Sequence, residues 1–293
     1  MTTNLTAQGE RAPSTLAGRE DWTPLPRRRA PRRVPTVLAI RSSIPPAWRW
    51  TLIVLSVLLP LLIWTLLSVT GAVTATFLPS PRVVFGTLID MARSGELWTN
   101  TWLTVRRILY GMGLTVLISV PLGIAIGTFQ AAAALFEPVI GLVRYLPANA
   151  FIFLLIIWLG TEESPRIALL VLGTVFFNTV MTADVVRNVP RAMIDVSYTL
   201  GARRNEVLRK VIIPHALPGM IDAVRVNAAA AWNFIVVAEV IGSGEGLGRL
   251  ITRAQRFLQV DRIFAMLIVI GILGLLIDVA LRLLRNWVGK WAT

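Results

Sequence analysis

The residues of this chain able to do chemistry are few, and most sit inside long apolar runs. Arg144 and Asn149 flank Pro147, Asn178 and Glu239 interrupt later apolar segments, and Trp232 places an indole N–H beside Asn233. An ionisable group at membrane depth is costly and ordinarily faces a cavity or a partner. Glu239, in Val-Val-Ala-Glu-Val-Ile, suits a gate or a path wall, and equally a hydrogen bond across a helix bundle. It should not ligate an anion directly, because like charges repel. Pro147 removes a backbone hydrogen bond and frees a carbonyl. Arg144 and Asn149 then form a polar patch able to draw an oxyanion through charge-assisted hydrogen bonds. The competing expectation, and the favoured one, is that Arg144 reaches for the cytoplasmic headgroups. Arg144, Asn149, Asn178, Trp232 and Glu239 are the candidates for a translocation path or gate.

Other chemistry is excluded. There is no Cys and a single His, His215, so disulfides, thiolate catalysis and Cys- or His-rich metal sites are out. No two polar groups in the apolar runs have acid–base or metal-ligand spacing, so no catalytic residue and no metal ligand is expected. A membrane enzyme acting on lipids is the alternative, and it would need convergent polar groups at one depth. A plain scaffold or channel is a third reading.

The elements carrying these residues are apolar helices. Hydrophobic residues make up 55% of the 293 and mean hydropathy is +0.68, too apolar for a typical soluble domain. Apolar segments at about 48–69, 107–129, 138–159, 166–186, 223–242 and 263–285 each have the length to span a bilayer. The third is the least simple, carrying Arg144, Pro147 and Asn149. An all-α polytopic membrane protein with about six spans is expected, with 1–47 as a disordered, basic cytoplasmic tail and 48–290 as the transmembrane domain. Nineteen Lys and Arg fall in 1–49, 187–225 and 282–290, against nine in the alternate segments. Positive charge is retained on the cytoplasmic side, so both termini are placed there. The net charge of +13 is explained in the same way, and no nucleic-acid partner is expected. Val83–Arg93 reads as a short amphipathic helix. Leu250, Ile251, Ala254, Phe257 and Leu258 share one helical face, expected to lie on the membrane surface. The glycines at 242, 244, 246 and 248 read as a flexible stretch before it. Asp184 with Arg187, and Asp278 with Arg282, have ion-pair spacing.

One polar segment stands out between spans, DVSYTLGARRNEVLRKVIIP from Asp195 to Pro214. Two short helices fit it, Met193–Leu200 and Arg204–Val211, with Gly201 permitting the turn and Pro214 stopping the second. Asp195-Val196-Ser197, three residues, Gly201, nine residues, then Val211-Ile212-Ile213-Pro214 resembles the cytoplasmic loop of bacterial ABC importer permeases, where the pattern is Glu-Ala-Ala, Gly, Ile-x-Leu-Pro. The opening triplet departs from that pattern, and Gly and Pro keep their spacing. Leu78-Pro79-Ser80-Pro81, Arg144-Tyr145-Leu146-Pro147, Ile157-Trp158-Leu159-Gly160, Ala231-Trp232, Ala238-Glu239 and Gly246-Leu247-Gly248 resemble the nitrate/sulfonate/taurine branch, over roughly 75–285.

The resemblance implies a type I importer permease subunit of the inner membrane. Its partners would be ABC ATPase subunits docking at 190–220, a periplasmic or lipid-anchored substrate-binding protein, a second permease copy (a homodimer first) and membrane lipid. Asp195, Gly201, Ala202, Arg203, Glu206 and Pro214 would form the ATPase-coupling loop. No Gly-x-x-x-x-Gly-Lys-Ser/Thr phosphate loop is present, so this chain binds no cofactor, and ATP and Mg are expected to be used by the partner. The implied substrate is a small anion, an aliphatic sulfonate such as taurine first, then nitrate or bicarbonate. A neutral heterocyclic precursor is the alternative.

Overall fold

A computed structural model describes residues 44–241 and 244–290, and among them every regular element is helical. The expected tail falls mostly outside the described residues, and helix already begins at Pro46. The chain divides into two compact units after Leu59. The first unit contributes, among the described residues, the start of α1 (Pro46–Val69), whose side chains there are exposed. Uniform apolarity with no buried face is what a lipid-facing helix requires.

The second unit holds α2 (Pro81–Arg93), α3 (Glu96–Thr128), α4 (Gln130–Val143), α5 (Ile152–Leu159), α6 (Ser164–Arg187), α7 (Arg191–Thr199), α8 (Arg204–Val207), α9 (Ile213–Ile241), α10 (Leu247–Arg256) and α11 (Val260–Val288). Pro81 starts α2 at the position where its missing N–H costs nothing, and the short helix expected at 83–93 is there. Among the described residues five helices are long and apolar enough to cross a membrane, and α4 with α5, bent by 81°, makes a sixth if the pair is one span. The third segment is thus two half-helices, parted at Arg144–Pro147 and rejoined through a 3-10 turn at Ala148–Phe151.

The bundle is knitted along α3 and α6. Gly123 and Gly127 of α3 lie so close to α6 that a Cβ would approach Thr182 Cβ to 2.6 Å and Val186 Cβ to 2.6 Å. Small residues substitute here for the hydrophobic drive that lipid does not supply. Polar bridges run along the same seam: Thr115 to Thr174 at 2.8 Å, and Asn178 Nδ2 donating to Ser119 Oγ at 2.6 Å. A second seam joins α9 to α11 at their far ends, where Asp222, Arg225, Asp278, Arg282 and Arg285 form a chain of ion pairs. The Asp278–Arg282 and Asp184–Arg187 pairs expected from spacing are both present, at 2.9 and 3.5 Å.

Two elements differ from expectation. Pro214 does not stop a helix: α8, a π-turn at Leu208–Ile212 and α9 run on as one helix, Arg204–Ile241. The widened turn makes room for the Pro ring and the carbonyl it orphans. The amphipathic α10 does not lie on a membrane surface with its apolar face. Leu247, Leu250, Ile251 and Ala254 are buried against the bundle, while Phe257 and Leu258 remain exposed.

Candidate functional site

Three sites emerge, at one end of the bundle, at mid-depth and at the other end. The first is an ionic cluster around Arg107, which is only 2% exposed. Its Nε and Nη2 donate to the two oxygens of Glu163, each at 2.6 Å, in a fork-to-fork pair. Its Nη1 donates to Glu239 Oε1 and to the Glu245 carbonyl, also at 2.6 Å. Thr104 donates to Glu239 at 2.8 Å and accepts the Leu247 N–H at 3.0 Å. The Gly248 N–H reaches Glu239 Oε2 at 2.8 Å, and Gly246 N–H reaches Asn100 Oδ1 at 2.7 Å.

Glu239 is therefore buried and surrounded by protein donors, and its neighbour Arg166 pairs with Glu163 at 3.5 Å. Gly246 and Gly248 are not a flexible stretch. A Cβ on Gly246 would lie 2.4 Å from Glu239 Cδ, and one on Gly248 would lie 2.4 Å from the Val236 carbonyl oxygen. The glycines let the backbone sit on the carboxylate. Arg107 pulls the Glu163 carboxyl below its ordinary value of 4.5, chiefly by donating to it.

The sequence reading missed Arg107, Thr104, Asn100 and Glu163. The helix expected from 107 begins at Glu96. A signal was there: Asn100, Thr104 and Arg107 are spaced i, i+4, i+7, one polar face.

The second site lies at the α4–α5 break. A cavity of about 280 Å³ is lined there by Arg144, Asn149, Gly173, Phe176, Phe177 and Phe234, among others. Arg144, expected to reach for the cytoplasmic headgroups, sits at the break. It ends the 14-residue α4, which at the usual rise puts about 21 Å of helix between it and Gln130. Its guanidinium lies 5.0 Å from the Tyr145 ring centroid and Nη2 donates to the Tyr145 hydroxyl at 3.2 Å. Asn149 is exposed at the break. Asn178 and Trp232 are elsewhere. Asn178 is buried between Ser119 and Asn227, and Trp232 packs in the main core beside Gly274.

The third site is the segment 190–220. α7 ends at Thr199, Gly201 turns the chain at φ +83°, and α8 begins at Arg204. Glu206 accepts from the Arg203 N–H at 2.9 Å and pairs with Lys210 at 3.2 Å, closing the start of the second helix. Arg204 lies over Phe129, 4.3 Å from the ring centroid, and ties the segment to the α3–α4 corner. Met193 and Val196 on α7, and Leu200 just after it, are exposed, with Asp195 beside them. Ala202 packs into the cluster around Val207 and Ile212.

A broken apolar helix pair, a buried ionic knot at one end and a polar elbow at the other fit a polytopic membrane permease. The comparisons agree. Residues 119–291 match the family described as binding-protein-dependent transport system inner membrane component. A probable ABC transporter permease of Brucella melitensis is 34% identical over 78% of this chain and 92% of its own length. The taurine transport system permease protein TauC of Escherichia coli strain K12 is 31% identical, covering 83% of this chain and 93% of its own. A putative aliphatic sulfonates transport permease protein, SsuC of Bacillus subtilis strain 168, is 31% identical over 78% and 83%. Among solved structures, an inward-facing MetNI methionine ABC transporter matches with a TM-score of 0.61 at 21% identity, over 67% of this chain and 98% of that one.

This chain belongs to the binding-protein-dependent transport family of inner membrane components. It is a multi-pass inner-membrane permease subunit of an ABC importer. It is not itself an enzyme: ATP hydrolysis belongs to the partner ATPase, and substrate arrives from a binding protein.

Proposed function

We propose that this permease imports a small anion, with aliphatic sulfonates of the taurine class first and nitrate or bicarbonate next, and that 190–220 is its ATPase-docking elbow. The elbow carries the second part of the reading. A docking element must transmit a closure without flexing. Here the Gly201 turn, the Glu206 cap and the Arg204–Phe129 contact brace one helix against the next. The exposed Met193, Val196 and Leu200 offer an apolar stripe, and Arg203, Arg209 and Lys210 a cationic border. Asp195, Ala202 and Pro214 complete the segment. ATP and Mg are bound by the partner rather than by this chain.

The substrate class is supported by the TauC and SsuC relatives and by Arg144 and Asn149 at the mid-depth cavity. Asn178, Trp232 and Glu239 serve the path by holding its walls. The active unit contains two copies of this chain. That is supported by the large exposed apolar surface of its helices, which lipid and a second copy would share. The test is co-purification of the partner ATPase with wild type and with Gly201→Val. A β-branched residue is strained at φ +83°. Recovery of ATPase with wild type and its loss with the variant, at equal membrane abundance, is the expected result. Equal recovery with both removes the elbow from the docking surface.

A further inference from the structure

The pairing of Arg144 sets it apart. Arg107, buried at one end of the bundle, has two carboxylates. Among the described residues Arg144 has no carboxylate partner. Its one side-chain hydrogen bond goes to the neutral Tyr145 hydroxyl at 3.2 Å, and its Nε is buried with no acceptor. The residue as a whole is half-buried, and a charge at the wall of an apolar bundle without a counter-ion is costly. The fold nevertheless puts it there. Ala133 and Ile140 of α4 pack with Phe176, Val180 and Ala183 of α6, and Ile152 and Leu155 pack with Leu169. The broken pair therefore follows α6 along its length, and the break meets it near Gly173, in the middle of the span.

The walls of the cavity are selective. Phe176, Phe177 and Phe234 line it opposite Arg144 and Asn149. Gly173 allows this approach: a Cβ there would fall 2.5 Å from the Phe234 ring. The half-buried Phe176 and Phe234 rings lower the local dielectric, which strengthens an ion pair formed beside them, and they accept a short apolar tail. The Asn149 amide can donate to a second oxygen. The guanidinium fork suits a planar or tetrahedral oxyanion better than a point charge would. A volume of about 280 Å³ lies just under the usual range for drug-sized ligands, so the occupant is small. Broken helices at mid-membrane supply ion and substrate sites because irregular backbone is tolerated only where it lines a cavity.

We infer that the α4–α5 break is an anion subsite inside the membrane domain: Arg144 and Asn149 hold a sulfonate-like head, and Phe176, Phe177 and Phe234 hold a tail of a few carbons. The transported anion is the missing counter-ion of Arg144. This deepens the anion-importer reading and rests on it. Because the site belongs to the permease, selectivity is applied a second time after the binding protein releases its cargo.

The test uses the whole importer (permease, ATPase and binding protein) in proteoliposomes. The probes are taurine, ethanesulfonate, hexanesulfonate, nitrate and the neutral ethyl methyl sulfone. Arg144→Gln is expected to lower maximal uptake of ethanesulfonate by about tenfold or more, the scale of losing one charge-assisted pair. The anion moved per ATP hydrolysed should fall with it, and Arg144→Lys should lie between. Gly173→Ala, which forces Phe234 to move, should change the ethanesulfonate-to-hexanesulfonate ratio. Wild-type uptake by Arg144→Gln at equal abundance overturns the subsite and leaves the anion reading standing. Uptake and ATP turnover falling equally would mark Arg144 as structural, and that also overturns it. If wild type moves none of the anions, the anion reading falls and takes the subsite with it. Should Arg144→Gln fail to reach the membrane, Arg144→Lys and Gly173→Ala decide the matter alone.

Discussion

Glu163 and Glu239 lean on one guanidinium but stand in different surroundings. The Glu239 side chain is fully buried, and that of Glu163 is 42% exposed. Removing Arg107 would leave Glu239 as an uncompensated charge, a change worth about 3–5 kcal/mol where pairs are fully buried. Arg107→Met should therefore lose most of the folded protein, read as thermal stability and monodisperse yield in detergent. Arg107→Met with Glu239→Gln should recover much of it, because the amide keeps an acceptor for Gly248 and Thr104 without the charge. Glu163 adds a pH dependence. Its carboxyl is held below the ordinary 4.5 by the Arg107 hydrogen bonds, so its contribution is complete above that value. It is lost as pH falls from there through the lowered value in the fold. Wild type should lose thermal stability over that acid window more steeply than Glu163→Gln, and parallel curves would refute the linkage. Exposure of Glu163 keeps the effect modest.

Helix placement was legible where the neighbour is lipid and less so where it is protein. Five of the six apolar segments appear as continuous helix and the third as two half-helices, because a helix must satisfy its backbone internally in a bilayer and its lipid face must be apolar. Hydropathy missed the first 11 residues of α3, from Glu96 to Arg106. That stretch presents Asn100 and Thr104 to polar partners in α9 and the loop before α10. The α10 stripe was visible as a stripe, but a pattern cannot say whether lipid or protein covers it, and here Ala254 and Leu247 are inside the core. Pro214 was misjudged because a Pro stops a helix only where its neighbours cannot widen, and the π-turn at Leu208–Ile212 widens. That turn joins the elbow to the α9 span, so it is placed to transmit motion between them. Pro214→Ala restores an N–H and removes the need for the wide turn. The expected outcome is normal abundance and ATPase recovery with uptake reduced several-fold, checked by transport in cells and pull-down from the same culture. Uptake equal to wild type would make the π-turn a packing detail.

The sidedness of the whole molecule follows from charge and can be tested cleanly, because the chain has no cysteine. The second unit supplies a consistency that charge counting alone lacked. Glu163, Glu245 and Asn100, from the segment before α6, the one before α10 and the start of α3, meet around Arg107 and Gly246. Arg204 and Phe129, from the segments after α7 and α3, meet at the other end. Loops that alternate in sequence therefore share a side, as an antiparallel sequence of spans demands. Positive charge then assigns the Arg204 end to the cytoplasm. Single cysteines at Thr161, exposed before α6, and at Ser197 in α7 should report opposite sides. In intact cells or spheroplasts, a membrane-impermeant maleimide is expected to label Thr161→Cys and spare Ser197→Cys. In inverted vesicles the pattern should exchange. Labelling of Ser197→Cys from outside would place the elbow where no ATPase exists, and would undo the docking assignment together with the orientation. Protection of Ser197→Cys in inverted vesicles only when the ATPase is present would go further. It would put the partner on α7 itself, next to the Met193, Val196 and Leu200 stripe that the fold leaves uncovered.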